Sequence, residues 1–214
     1  MKSKIENRKS KIPLILASAS PRRAQLLREA GMRFTVIVSP AHEPERKPAG
    51  IPTDLWPMSL AYMKATAVKT QIEKQKSKIE NPIILAADTI VVAGTLPHET
   101  ILNKARDRAH ARRMLQALQG QTHRVITGIC LLRASGRGER VRLASAEAVC
   151  RIRKMSRAWL ENYLDSGLWQ GKAGAYGIQD GHDPFVQLVK GDFSTVVGLP
   201  MNLVQSELAS FQRD

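Results

Sequence analysis

Two places in the chain combine residue types that can do chemistry. The first is Ser18-Ala19-Ser20-Pro21-Arg22-Arg23, where two hydroxyls and two guanidinium groups fall within six residues. An apolar run over residues 13–18 feeds directly into helix-start signals there: Ser20 suits an N-cap, Pro21 the first helical position, and Gly31 a helix end. Unpaired N–H groups at a helix start, together with arginine forks, favour phosphate oxygens, so Ser18, Ser20, Arg22 and Arg23 form a candidate polyphosphate site. An ordinary capped helix with solvated arginines is the competing reading.

The second place is Asp88, inside Ile83-Ile84-Leu85-Ala86-Ala87-Asp88-Thr89-Ile90-Val91-Val92. A carboxylate in such a run costs several kcal/mol of desolvation unless it is paired or holds a cation, on the order given for buried ions. That makes Asp88 a functional candidate, with a structural ion pair or a strand-end solvent contact as the alternative. No Gly-x-Gly-x-x-Gly and no His-Glu-x-x-His occur, and Gly167-Leu168-Trp169-Gln170-Gly171-Lys172-Ala173 lacks the spacing and hydroxyl of a Walker loop. With five scattered histidines, any metal must be held by carboxylates and substrate phosphates, which suits Mg²⁺ or Mn²⁺ better than zinc.

The elements that carry these residues follow from punctuation and periodicity. Strands are expected over residues 13–18, 34–39, 82–93, near Ile101 and Leu102, and over 185–189. Two long strands, 123–133 and 140–153, are joined by the hairpin-type Ser135-Gly136-Arg137-Gly138. Helices are expected from Pro21, from Asp54 or Ser59 to about Glu73 with Leu60, Met63, Ala67 and Val68 on one face, and from Asp107 to Leu118 before Gly120. Two more run from Ser156 to Asp165 and onward from Pro200. Strand-helix units around a central hairpin indicate one α/β domain, residues 12–214, with a mixed sheet, preceded by a basic flexible tail over residues 1–11.

Composition bounds the partners. The chain has 214 residues, 43% of them hydrophobic, enough for a core without disulfides. Its formal charge of +14 calls for an anionic partner: nucleic acid, an acidic membrane surface or a phosphorylated small molecule. Aromatics at 5% give little for base stacking, and no nucleic-acid-binding motif is present, so a nucleic-acid role is disfavoured. Cys130 and Cys150 lie in apolar stretches and read as reduced core thiols of a cytoplasmic protein. The longest apolar run, interrupted by Asp88, is too short to cross a membrane, and residues 1–11 read as neither signal peptide nor anchor. The hexapeptide of residues 2–7 recurs at 76–81, but two copies of six residues are not a structural repeat.

Five collinear blocks resemble the Maf family of nucleoside triphosphate pyrophosphatases. They are Leu16-Ala17-Ser18-Ala19-Ser20-Pro21-Arg22-Arg23, Ala87-Asp88-Thr89, Leu118-Gln119-Gly120-Gln121-Thr122-His123, Lys172-Ala173-Gly174-Ala175-Tyr176-Gly177-Ile178-Gln179 and Val196-Val197-Gly198-Leu199-Pro200. The resemblance implies an inosine-triphosphatase-like α/β domain with a twisted mixed sheet, flanking helices and a nucleotide cleft. It also implies hydrolysis between the α and β phosphates with a divalent cation, and a homodimer. The second and fourth blocks resemble the dTTP/UTP branch more than the 7-methyl-GTP branch. On this resemblance Asp88 matches the proton acceptor and Glu43 an acidic residue after the second strand; as carboxylates, Asp88 could bind the metal or take the proton of water, and Glu43 could share the metal. Arg22, Thr89 and Gln179 take part in substrate choice, and Arg22, Arg23, Lys64 and Lys104 neutralise phosphate. Within the pattern His42 replaces an acidic residue, Ala105 replaces the proline after Lys104, and Asp180 replaces a glycine after Gln179. The remaining alternatives are the same reaction on another nucleotide, or a non-catalytic nucleic-acid-binding or cell-division role.

Overall fold

Strand β3 (Ile83–Ala93) is the axis of the molecule, and eight apolar residues of its run are buried. Such a run, rich in β-branched residues, cannot leave either face to water, so both faces must be covered. The computed structural model describes residues 12–75, 79, 81–135, 138–178 and 185–213. The basic tail of residues 1–11, most of the recurrent hexapeptide at 76–81, the tip of the central hairpin and residues 179–184 lie outside the described residues.

The remaining strands are β1 (Leu14–Leu16), β2 (Thr35–Val36), β4 (Thr100–Leu102), β5 (Thr122–Ser135), β6 (Gly138–Ile152) and β7 (Val186–Lys190). They form one seven-stranded sheet in the order β2-β1-β3-β5-β6-β7, with β4 on β3. β1 runs parallel to β2 and β3, and the other pairings are antiparallel, which is the expected mixed sheet. Helices α1 (Pro21–Glu29), α2 (Trp56–Lys74), α3 (Arg108–Leu118), α4 (Arg157–Asp165), α5 (Phe193–Val197) and α6 (Met201–Arg213) flank it.

Alternation along β3 sends its side chains to opposite layers. Ile84 and Ala86 pack with Ala61, Ala65 and Val68 of α2. Ile83, Leu85 and Ala87 pack instead with Leu27 of α1 and Val204, Leu208 and Phe211 of α6. Farther along, Val91 joins the cluster built by α3, α4 and Tyr176.

Three local expectations change. β2 is two residues long rather than six, because its one strand partner among the described residues, β1, ends at Leu16, and Val38 is already exposed. α2 starts at Trp56 after a 3₁₀ turn (Thr53–Leu55) and uses neither Asp54 nor Ser59 as cap; Asp54 pairs with Arg124 at 3.1 Å instead. The buried stripe of α2 is Pro57, Leu60, Ala61, Lys64, Ala65, Val68 and Ile72, while Met63 is exposed. The sequence offers two overlapping apolar stripes on this helix, and the one facing the sheet carries the lysine. Helix α5 is an addition, five residues closed by Asp192 at its start and Gly198 in the left-handed region at its end.

Gly128 fixes how closely α2 approaches. It pairs with Asp88 across β3 and β5, and a Cβ there would sit 2.4 Å from Met58 N and 2.5 Å from Pro57 C. Both neighbours are backbone, so relief requires moving the helix. Gly128→Ala is expected to cost about 1–3 kcal/mol, the usual range for overpacking, seen as a lower thermal midpoint. An unchanged midpoint would show that α2 shifts freely.

Candidate active site

The site begins as a gap in the sheet. β1 pairs with β3 as far as Leu85, where Ala17 N donates to Leu85 O, and β4 takes over only at Val91. Between these partners the edge of β3 over residues 86–90 borders a cavity of about 480 Å³, lined by Ser18, Ser20, Arg22, Arg23, Glu43, Lys64, Asp88, Thr89 and Lys104. This is where an open sheet binds ligands, beyond the carboxyl end of a strand where a neighbouring strand is missing. Nine of the ten expected site residues converge on it. The tenth, Gln179, lies outside the described residues.

Asp88 is 6% exposed and points to the α2 face, between Ala86 and Ile90. Its Oδ1 accepts a hydrogen bond of 2.5 Å from Lys64 Nζ, which also lies 2.8 Å from Glu43 Oε1. One buried ammonium therefore holds two carboxylates together. Burial pushes the Asp88 carboxyl above the ordinary aspartate range, and Glu43 adds to this; Lys64 and Arg23 oppose it without cancelling it. At Glu43 desolvation also raises the carboxyl, but Lys64, Lys104 and Arg23 outweigh it, and the net direction is downward. Two carboxylates a few ångströms apart with opposite shifts suit one for taking a proton and the other for staying ionised.

Arg23 is the mechanical hub on the other side of β3. Its Nε donates to Gly198 O at 2.7 Å, Nη1 to Ser18 Oγ at 3.2 Å and Nη2 to Thr89 Oγ1 at 3.2 Å. It ties the end of β1, the start of α1, the middle of β3 and the end of α5. Burial lowers its pKa, with Asp88 and Glu43 opposing, yet a guanidinium stays charged in any protein environment. Ser20 acts as the α1 cap: its Oγ accepts from Arg23 N at 3.4 Å. Ser18 Oγ receives the Ser20 N–H at 3.2 Å. The capped-helix reading is thus realised alongside the cavity wall.

Arg22 reaches across the mouth, Nη2 donating to Gly171 O at 3.3 Å. Lys104, exposed, is set by an antiparallel bridge to Ala173 and by Gly174 N donating to the carbonyls of Leu102 and Asn103. Gly174 needs its positive φ of 67°, and a Cβ there would press on Val91 at 3.1 Å.

Sequence reasoning missed three residues in the wall or behind it. Lys172, 7% exposed, lines the cavity from within the glycine-rich block; its place in the fourth block of the resemblance was the signal that could have found it. Tyr176 also lines it, with its hydroxyl 2.6 Å from His123 Nε2. Thr127 is fully buried behind Thr89, at 2.9 Å, a position legible only from strand alternation on β5.

A family model described as "Maf-like protein" matches residues 13–211. The chain belongs to the Maf family. Its relatives include proteins named dTTP/UTP pyrophosphatase. That of Koribacter versatilis is 41% identical over 88% of this chain and 89% of its own length. That of Exiguobacterium sibiricum is 37% identical over 93% and 92%, and that of Pyrococcus horikoshii 37% over 89% and 92%. The cavity of this Maf protein is built from four of the five blocks that carry the resemblance, and the fifth, through His123, supports Tyr176 from behind.

His123 gives this Maf protein a pH signature. Burial lowers its pKa from 6.5 to about 4, so the native imidazole stays neutral while the unfolded one titrates normally. As pH falls from 6.5 towards 4 the unfolded chain binds the proton first, and stability drops by about 3 kcal/mol over that window. Thermal midpoints measured against pH are expected to show this slope in the wild type and lose most of it in His123→Gln. An equal slope in both would assign it to other groups.

Proposed function

We propose that this Maf protein hydrolyses dTTP and UTP between the α and β phosphates: water adds to the α phosphorus, the bridging P–O bond breaks, and nucleoside monophosphate and pyrophosphate leave. The observation that carries this reading is the buried Asp88–Lys64 pair, joined through the same ammonium to the exposed Glu43, in a cavity rimmed by Arg22, Arg23 and Lys104. The names of the relatives supply the substrate, and the chain covers about nine-tenths of their length.

Asp88 accepts the proton of the attacking water; its raised pKa makes it a stronger base than a solvated aspartate. The α1 start at Ser20, with Arg22, cradles the phosphate oxygens, and Lys104 meets the charge that develops on pyrophosphate as the bond breaks. Arg23, with three donors committed to the protein, acts chiefly by holding Ser18 and Thr89 in place while adding its charge to the field. Gln179 completes the reading of the base in this proposal.

A divalent cation fits the donor chemistry. Among the described residues no group of three or more His, Cys, Asp or Glu forms a metal cage, and two carboxylates plus substrate phosphates are what Mg²⁺ or Mn²⁺ ordinarily takes. Asp88 and Glu43 each spend one oxygen on Lys64 and would offer the other to the ion. Bound there, the ion would neutralise phosphate charge and acidify water. We place the enzyme in the cytoplasm as a homodimer; the two buried thiols agree with a reducing compartment, and light scattering of the purified chain tests the dimer. Among the described residues no helix is long and apolar enough to cross a membrane.

With dTTP or UTP and Mg²⁺ or Mn²⁺, the wild type is expected to release pyrophosphate, and Asp88→Asn to lower kcat by about 10²–10⁴. Orthophosphate as the product, or full turnover by Asp88→Asn, would overturn the reading.

A further inference from the structure

Thr89 lines the cavity, and its hydroxyl proton is already committed. Thr127 Oγ1 lies 2.8 Å from Thr195 O, and a carbonyl oxygen can only accept, so the single Thr127 proton goes there. The 2.9 Å contact between Thr127 and Thr89 must then use the Thr89 proton. Arg23 Nη2, itself only a donor, fills one of the two Thr89 lone pairs at 3.2 Å. The chain is directional: Arg23 to Thr89, Thr89 to Thr127, Thr127 to the α5 backbone. Thr127 and Thr195 are fully buried, so no solvent competes for these protons, and Gly198 holds the locus tight, since a Cβ there would lie 3.1 Å from Thr89 Oγ1.

We infer that Thr127 is a positioning residue for nucleotide selection: by taking the Thr89 proton it leaves Thr89 with one lone pair, so the site favours a nucleotide that presents a hydrogen-bond donor there. Uracil and thymine carry such a donor, the imide N3–H, where cytosine has an acceptor nitrogen; a sugar hydroxyl is the other source of the same chemistry. The inference rests on the proposed nucleotide hydrolysis and deepens it. Without Thr127 Oγ the Thr89 proton is free to turn, and the hydroxyl serves donors and acceptors alike.

The test measures kcat/KM for pyrophosphate release from UTP, CTP and 3′-deoxy-UTP by the full-length wild type, Thr127→Val and Thr127→Ser, alongside thermal midpoints. Thr127→Val is expected to shrink one preference by about tenfold, the scale of one neutral hydrogen bond, and Thr127→Ser to keep it. Loss of the UTP over CTP preference identifies the imide as the donor; loss of the UTP over 3′-deoxy-UTP preference identifies the sugar. Parallel loss on all three nucleotides with both ratios intact, as a merely structural residue would give, overturns the inference. These ratios do not depend on the folded fraction, and Thr127→Ala replaces Thr127→Val if the latter yields no folded protein. A wild type that makes no pyrophosphate would instead overturn the proposed reaction; the same ratios, then read as affinities by calorimetry, still decide the role of Thr127.

Discussion

Lys64 between Asp88 and Glu43 is the interaction on which the site depends. An aspartate at the centre of a buried strand is tolerated only with a partner, and here the partner comes from a helix stripe that is otherwise apolar. Removing one member of such a buried pair typically costs about 3–5 kcal/mol, because the survivor stays charged and unpaired. The neighbouring sequence is arranged around this contact. Gly128, opposite Asp88, lets α2 lie close to the sheet, and Ala61 and Ala65 flank Lys64 with side chains too small to hold the helix away. The pair also separates the two carboxylates chemically, one pushed up by burial and one held down by surrounding cations.

On the opposite face Arg23 does for the walls what Lys64 does for the floor. Three of its donors join β1, β3 and the end of α5, segments far apart in sequence. The start of α1 and the Thr89 hydroxyl are thereby fixed to each other before any ligand arrives. Such prior placement is how a site avoids reorganising when charge develops.

The excess of basic residues divides into kinds. Arg108 and Arg112 of α3 pair with Glu161 and Asp165 to clamp α3 to α4, and Arg124 ties Asp54, Glu99 and Glu147 across three segments. Arg142 reaches Glu207 of α6. Several arginines outside the cavity are therefore cross-braces between elements. Those at the cavity are few, and their position rather than the total charge gives them their role.

Local sequence sufficed for the element types and the mixed α/β class, and it singled out most of the polar residues that line the cavity. The β-branched run of β3, the Ser-Pro start of α1 and the Asp107 cap of α3 are local signals, and each is set by backbone sterics or hydrogen bonding within a few residues. Asp88 stood out because a charge in an apolar run is costly wherever the run ends up. Packing alone settled which stripe of α2 faces the sheet, that β2 stops after two residues, and that Arg23 braces three segments. The same holds for Thr127: a threonine in a strand is ordinary, and the direction of its hydrogen bond is set by a carbonyl 68 residues away. Each of these depends on which groups meet across the sheet, and hydrogen-bond direction is fixed by partners that the local sequence does not contain.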